Sequence, residues 1–189
     1  SGSSACDRSL LKYCHRPWLK EGDLDKHGQW ISEDLAKLRC TEMNKDIIKR
    51  WNNRVKPGDT VYLDGDFCFR NSLGGKIGEG MVHKAQYWIN KLNGNIIFVK
   101  GNHDRNNSLK TIIDRVVIKY ASEYINIVHD PKNYDSRYRI NFVGHVHEKW
   151  IFQRVWDQFN QCNVDLINIG MDVWNFVHVT YEEIMNRYK

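Results

Sequence analysis

Four apolar runs of this chain each stop at a short cluster of Asp, Asn or His, and that repetition restricts its folds more than any other feature. Thr60–Leu63 runs into Asp64-Gly65-Asp66-Phe67, and Asn95–Val99 into Lys100-Gly101-Asn102-His103-Asp104. Tyr124–Val128 runs into His129-Asp130-Pro131, and Arg139–Val143 into Gly144-His145-Val146-His147. Short apolar runs rich in Val, Ile, Tyr and Phe read as buried strands. Glycine precedes the polar residues in three of the four clusters, which lets the backbone turn tightly and approach a ligand closely.

Helix-like stretches lie between these runs. Met43, Ile47, Ile48 and Trp51 fall at helical spacing after Thr41, an expected N-cap. Pro57-Gly58-Asp59 makes the turn into the first strand, and Ser72–Gly80 reads as a loop. Met81, Ala85, Trp88, Ile89 and Leu92 mark a second helix stopped by Asn93-Gly94, and Leu109–Val117 reads as a third. Ile151–Val155 and Leu166–Ile169 read as further strands. Thr180-Tyr181-Glu182-Glu183 is a capping-box signature that opens a C-terminal helix. Strands alternating with helices predict an α/β layered fold with helices on both faces. In such folds ligands bind at the carboxyl ends of the strands.

A length of 189 residues predicts a single domain spanning 1–189 with a substantial core. No apolar run approaches bilayer length, and Ser1–Ser4 reads as a cut edge with no secretory leader behind it. Five cysteines, an odd number with no Cys-x-x-Cys pair, point to reduced thiols and a cytoplasmic setting. The net charge of +5 suits a polyanionic substrate, but no Lys/Arg block is dense enough to mark a dedicated nucleic-acid surface.

The strand-end clusters carry the chemistry. Carboxylate, carboxamide oxygen and imidazole together form a mixed O/N shell suited to Mn, Fe or Zn rather than calcium. Taken singly, each residue also has a plain structural role. His129 at a strand end is ordinarily a hydrogen-bonded core histidine, and His103 and Asp104 can cap a helix after Gly101. Asp64 and Asp130 read as outer-shell or solvated residues, and Cys68 as a small buried apolar residue. Asp172 and Trp174 can orient a ligand histidine from outside the shell or simply pack. His15, His27, His83 and His178 carry no supporting context.

In order, Gly65-Asp66, Gly101-Asn102-His103-Asp104, His129 and Gly144-His145-Val146-His147 resemble the motifs of the calcineurin-like metallophosphoesterase superfamily. The resemblance covers nearly the whole chain and is nearest to a small bacterial, archaeal and phage-type subgroup. Its other recurring pieces stand here as Lys12-Tyr13-Cys14-His15-Arg16-Pro17, Gly65-Asp66-Phe67 and Asn168-Ile169-Gly170-Met171-Asp172-Val173-Trp174. The resemblance implies a metallophosphoesterase-type β-sandwich flanked by helices. It implies that Asp66 bridges two metal ions, that Asn102, His129 and His145 complete one site, and that His147 serves the other. His103 would sit beside the scissile phosphate, with Asp104 orienting it. The implied activity is hydrolysis of phosphomonoesters or phosphodiesters, nucleotides or nucleic acid among them, with paired cations activating a water and clamping phosphoryl oxygens.

One motif of that family departs. An Asp-x-His at the end of the first strand supplies the other metal's remaining ligands. Counted back from Lys12-Tyr13-Cys14, this chain has Gly2, Ser4 and Asp7 where the subgroup has Asp, His and His. The expectation is a fold lacking its first strand, with one complete metal site and one crippled one. Asp7, Cys6 or His15 could serve as substitute ligands, and a homologue that binds metal or phosphate without turnover is the alternative reading. A sheet edge left open would favour a homodimer.

Overall fold

Ser32-Glu33-Asp34 is the strongest helix-starting signal in the first third of the chain, and the fold follows it. The computed structural model describes residues 11–12, 14, 16–68, 83–104 and 109–188. Helix α1 spans Glu33–Arg54, with the Ser32 hydroxyl accepting from Leu35 N at 3.2 Å and Glu33 and Asp34 in its first turn. Carboxylates there complement the helix dipole. Thr41, the expected cap, instead sits inside the helix, where its hydroxyl donates to Lys37 O at 2.8 Å. Ala36, Cys40, Met43, Ile47 and Trp51 form the buried stripe.

Strands β1 (Thr60–Asp64) and β2 (Asn95–Val99) pair in parallel, with Asp64 opposite Val99. The short helix α2 (Ala85–Ile89) and the turn at Gly94 connect back to β2; the expected helix is shorter on both sides, and residues 81 and 82 lie outside the described residues. Gly94 has φ +91°, and a Cβ there would meet Val55 Cγ1 at 2.7 Å. The expected Ser72–Gly80 loop also lies outside the described residues.

The expected helix over Leu109–Val117 does not form. Residues 109–113 are irregular and Arg115–Tyr120 is strand β3, in a hairpin with β4 (Glu123–Val128). Ile112 is 92% exposed, so this stretch buries no continuous apolar face that would hold it helical. The Thr111 hydroxyl donates to Phe98 O and Lys100 N donates to Ile113 O, which holds the segment extended beside β2. The β-branched run Val116-Val117-Ile118 then favours strand.

Strands β5 (Ile140–Val143), β6 (Phe152–Asp157) and β7 (Cys162–Asn168) complete a second sheet of order β3-β4-β5-β7-β6. Its central strands β4, β5 and β7 run parallel. Helix α3 (Tyr181–Tyr188) begins with the expected capping box: Thr180 Oγ1 accepts from Glu183 N at 3.3 Å, and the Glu183 carboxylate accepts from Thr180 N at 2.9 Å. The result is a mixed α/β fold of two sheets flanked by helices. Val99, Ile127, Ile140, Phe142, Ile167 and Ile184 form the core between the sheets and α3, while Trp51, Leu63, Phe67 and Ala85 join α1 to the small sheet.

All five residues of β1, and none of β2, line a cavity of about 510 Å³. Its opposite wall is Ile169, Met171 and the Val177–Thr180 segment. The cavity therefore follows the edge of β1 that faces away from β2. Residues 1–10, which hold Gly2, Ser4, Cys6 and Asp7 of the departing motif, lie outside the described residues, as does His15. The four cysteines among the described residues are free thiols, and Cys68 is buried as expected. No helix among the described residues is long and apolar enough to cross a membrane.

Candidate metal centre

Parallel pairing within each sheet sends the carboxyl ends of β1, β2, β4 and β5 to one region, so the four polar clusters meet. Gly65 and Gly101 make that meeting possible. Gly65 has φ +73°, and a Cβ on it would lie 2.7 Å from Gly101 Cα and overlap the His129 ring. A Cβ on Gly101 would overlap the Asp66 backbone and carboxylate. Asp66 itself adopts φ 51°, an unusual conformation for a residue other than glycine.

The Asp104 carboxylate holds that conformation in place. It accepts from Gly101 N at 2.8 Å, Asp66 N at 2.9 Å and Phe67 N at 3.3 Å, and it is buried. Asp104 thus ties the β1 and β2 loops together, a role the helix-cap reading did not foresee. His103 N in turn donates to Asp66 Oδ1 at 2.9 Å, while the residue as a whole stays exposed.

Around Asp66 the donor atoms converge. His129 Nε2 lies 3.1 Å from Asp66 Oδ2 and 3.1 Å from Asn102 Oδ1, and His145 Nδ1 lies 3.0 Å from the same Asn102 oxygen. Ligand atoms of Asp66, His129 and His145 all fall within 4.8 Å of one another. On the far side of the ring, His129 Nδ1 lies 2.8 Å from the Asp64 carbonyl oxygen. A carbonyl can only accept, so Nδ1 carries the proton and Nε2 presents its lone pair in the neutral ring. That lone pair faces two oxygens, an arrangement that requires a proton or a cation between them. Burial alone depresses the His129 imidazole, but the Asp66 hydrogen bond and the Asp64 and Asp66 charges outweigh it and raise the group. Burial likewise works against the Asp66 carboxylate, and the His129 hydrogen bond overcomes it and holds the group low. Burial and the neighbouring His129 charge lower His145.

Of the two roles expected for Asp64, outer-shell or solvated, only the solvated one fails, since its carbonyl lies 2.8 Å from His129 Nδ1. Asp64 is buried, and neither carboxylate oxygen has a hydrogen-bond partner among the described residues. Burial pushes its carboxyl up to about 6. Asp130 caps the turn at Pro131–Asn133 by accepting from Lys132 N at 2.9 Å.

His147 faces a different group. Its Nδ1 lies 3.3 Å from Asp172 Oδ2, and Cys14 completes a cluster whose ligand atoms are within 4.8 Å of one another. Asp172 thus orients this histidine, one of the two roles its position suggested. Burial works against its charge, but the His147 hydrogen bond and the Arg16 guanidinium hold its carboxyl well below the usual carboxylate range. Arg16, itself buried, grips both Asp172 oxygens at 2.9 and 3.1 Å. His147 adopts φ 49° and its carbonyl accepts from Asn168 Nδ2 at 2.6 Å. The sequence reading missed Arg16 and Asn168. Both stand in the recurring motif pieces, which was the available signal.

No family model matches the chain. It is 27% identical over 179 residues to an uncharacterized protein of Methanocaldococcus jannaschii, a match covering 94% of this chain and 82% of that protein. Among solved structures it is similar to a protein of unknown function from Aquifex aeolicus, with a TM-score of 0.50 and 18% identity over 76% of this chain and 84% of the other. A single mutant of Vps29 from Entamoeba histolytica aligns with a TM-score of 0.36 and 16% identity over 67% of this chain and 63% of its own. The Aquifex likeness is one of fold.

Proposed function

We propose that this chain is a metal-dependent phosphoesterase of the calcineurin-like type, hydrolysing phosphomonoesters or phosphodiesters. The observation that carries the reading is His129 Nε2 directed at both Asp66 Oδ2 and Asn102 Oδ1 while Nδ1 is occupied by the Asp64 carbonyl. The donor set fits a divalent transition metal. Asp66, Asn102, His129 and His145 would hold Mn, Fe or Zn, since imidazole nitrogens and hard oxygens suit all three. A cation there supplies Lewis acidity toward a phosphoryl oxygen and a more acidic water.

The chain's own residues do the rest. Asp66 offers Oδ2 toward the imidazole, and its Oδ1 is held by His103 N. Asp104 keeps both glycine loops in register, so the donors are positioned before substrate arrives. His103 stands exposed beside this group, where its imidazole can donate a proton to a leaving alkoxide. A nucleotide or nucleic-acid phosphate falls within the same substrate class, and the net charge of +5 favours such anions.

The test is hydrolysis of an aryl phosphate and an aryl phosphodiester with added manganese. His103→Ala should lower turnover by about 10²–10⁴-fold, the usual range for general acid–base catalysis. Asp66→Ala should abolish both turnover and metal uptake. Activity that survives both substitutions overturns the reading, whereas metal uptake without hydrolysis in the unaltered protein assigns the non-catalytic binding role.

A further inference from the structure

We infer that the free edge of β6 is a docking surface for a second copy of this chain, paired antiparallel about a two-fold axis at Val155. β6 ends the large sheet and, among the described residues, pairs only with β7. An outermost strand offers a row of backbone donors and acceptors to any strand that comes alongside, and proteins that stay apart blunt it with lysine, proline or a bulge. β3, at the opposite end of the sheet, carries Arg115 and Lys119. β6 has neither lysine nor proline, and its register with β7 runs unbroken from Phe152 to Asp157. Its one cation, Arg154, is held by both oxygens of Asp165 at 2.6 and 3.1 Å. Trp156, two residues on and therefore on the same face, is 57% exposed, and Phe159 in the turn that follows is 97% exposed.

The residues of β6 select one register. In an antiparallel pair, residues directly opposite share a sheet face and direct their backbone groups alike. A two-fold axis between two copies of one strand must therefore pass at a residue and not between residues. An axis at Gln153 or Trp156 leaves half of β6 unpaired. An axis at Arg154 sets that guanidinium against its own copy, and like charges directly opposite are destabilising. An axis at Val155 joins Gln153–Asp157 of both copies with no like charges opposed. Val155 then meets Val155, and on the other face Arg154 meets Trp156 of the second copy, twice by symmetry. A guanidinium already fixed by Asp165 can lie flat on that indole. The pairing also carries Phe159 toward the partly buried Ile151 just before the second copy's strand.

The contact is isologous, the same patch serving both copies, and it doubles the large sheet. It differs from the homodimer that the sequence led us to expect, because that edge borders the cavity along β1. No residue of the contact belongs to the metal centre, so it stands apart from the phosphoesterase reading.

Sedimentation equilibrium of the full chain over a dilution series tests it. The expected result is a dimer that dissociates on dilution. Trp156→Lys removes the exposed indole and sets a like charge against Arg154 of the second copy, so it should weaken association by about 100-fold or more. Val155→Cys should yield a disulfide-linked dimer on mild oxidation, since opposite Cβ atoms in such a pair lie about 4.5–5.5 Å apart and only position 155 meets itself. Gln153→Cys and the unaltered protein should not cross-link. A monomer at every concentration at which the chain stays soluble, a dimer indifferent to Trp156→Lys, or equal cross-linking at positions 153 and 155 overturns the surface. The first readout needs no variant and none uses turnover, so the result is independent of a variant's folding and of the chemistry at the metal centre.

Discussion

In the large sheet, β5 has all four residues buried and a parallel neighbour on each side; in the small sheet, β1 has one paired edge and one edge along a cavity of about 510 Å³. The large sheet satisfies the polar side chain at its centre, although Asn126 Oδ1 on β4 is buried without a hydrogen-bond partner among the described residues. Asn141 on β5 is fully buried and makes four hydrogen bonds: its oxygen accepts from Asn126 Nδ2 and Asp135 N, and its amide donates to Asp135 O and Tyr138 O. The small sheet leaves Asp64 buried with two unpartnered oxygens among the described residues. The difference teaches a division of labour. Histidines come from the sheet that is fully packed, while the carboxylate and carboxamide come from the sheet whose geometry depends on glycine loops and one clamp, Asp104.

The seam between the sheets is where that division can be broken most severely. Gly101→Ala places a methyl group against the Asp66 backbone, and the loop must shift. Such overpacking costs about 3 kcal/mol. The denaturant midpoint should fall accordingly, and metal affinity should drop by more than the about 10–100-fold typical of losing an outer hydrogen-bond partner. Retention of full affinity would mean the two loops are not coupled. Asn141→Ala strikes the large sheet alone. It strands backbone groups and Asn126, at a cost of about 2 kcal/mol. Thermal unfolding should report this loss while metal affinity at the folded site stays unchanged.

An effect of similar size, tied to pH, lies at the cavity wall. His178 packs edge-on against Trp51 with centroids 3.9 Å apart, and its Nδ1 is buried without a hydrogen-bond partner among the described residues. Burial, with help from the Arg54 charge, pushes its imidazole down to about 4. A folded value below the ordinary one means the neutral ring favours folding. That contribution is complete above the ordinary histidine value of about 6.5 and is lost as pH falls toward about 4. Partial exposure reduces the loss to about 2 kcal/mol. Unfolding curves at a series of pH values should show a gap between the unaltered protein and His178→Gln that narrows on acidification; a constant gap would contradict the assignment.

Much of this architecture was legible from residue order. Asn95–Val99 matches β2 residue for residue, and Thr180–Glu183 forms the capping box it spells. Both are local signals that tertiary packing reinforces. Leu109–Val117 reads as helix but is not one, because Ile112 faces solvent and the β-branched residues that follow pair in a hairpin. Thr41 misled because a cap-forming residue can also bond back to a carbonyl inside a helix. The convergence of Asp66, Asn102, His129 and His145 could be anticipated because each ends a strand. The pairing of Arg16 with Asp172 spans 156 positions, and no periodicity within either segment encodes it.

The Asp66 conformation has a kinetic consequence. Its main chain is bent at φ 51° and fastened through Asp104 by contacts wholly internal to the protein. Little conformational freedom is left to lose when a cation arrives, which favours tight binding. Capture then becomes an encounter between an ion and a finished cradle, with its speed set by how readily the ion sheds water.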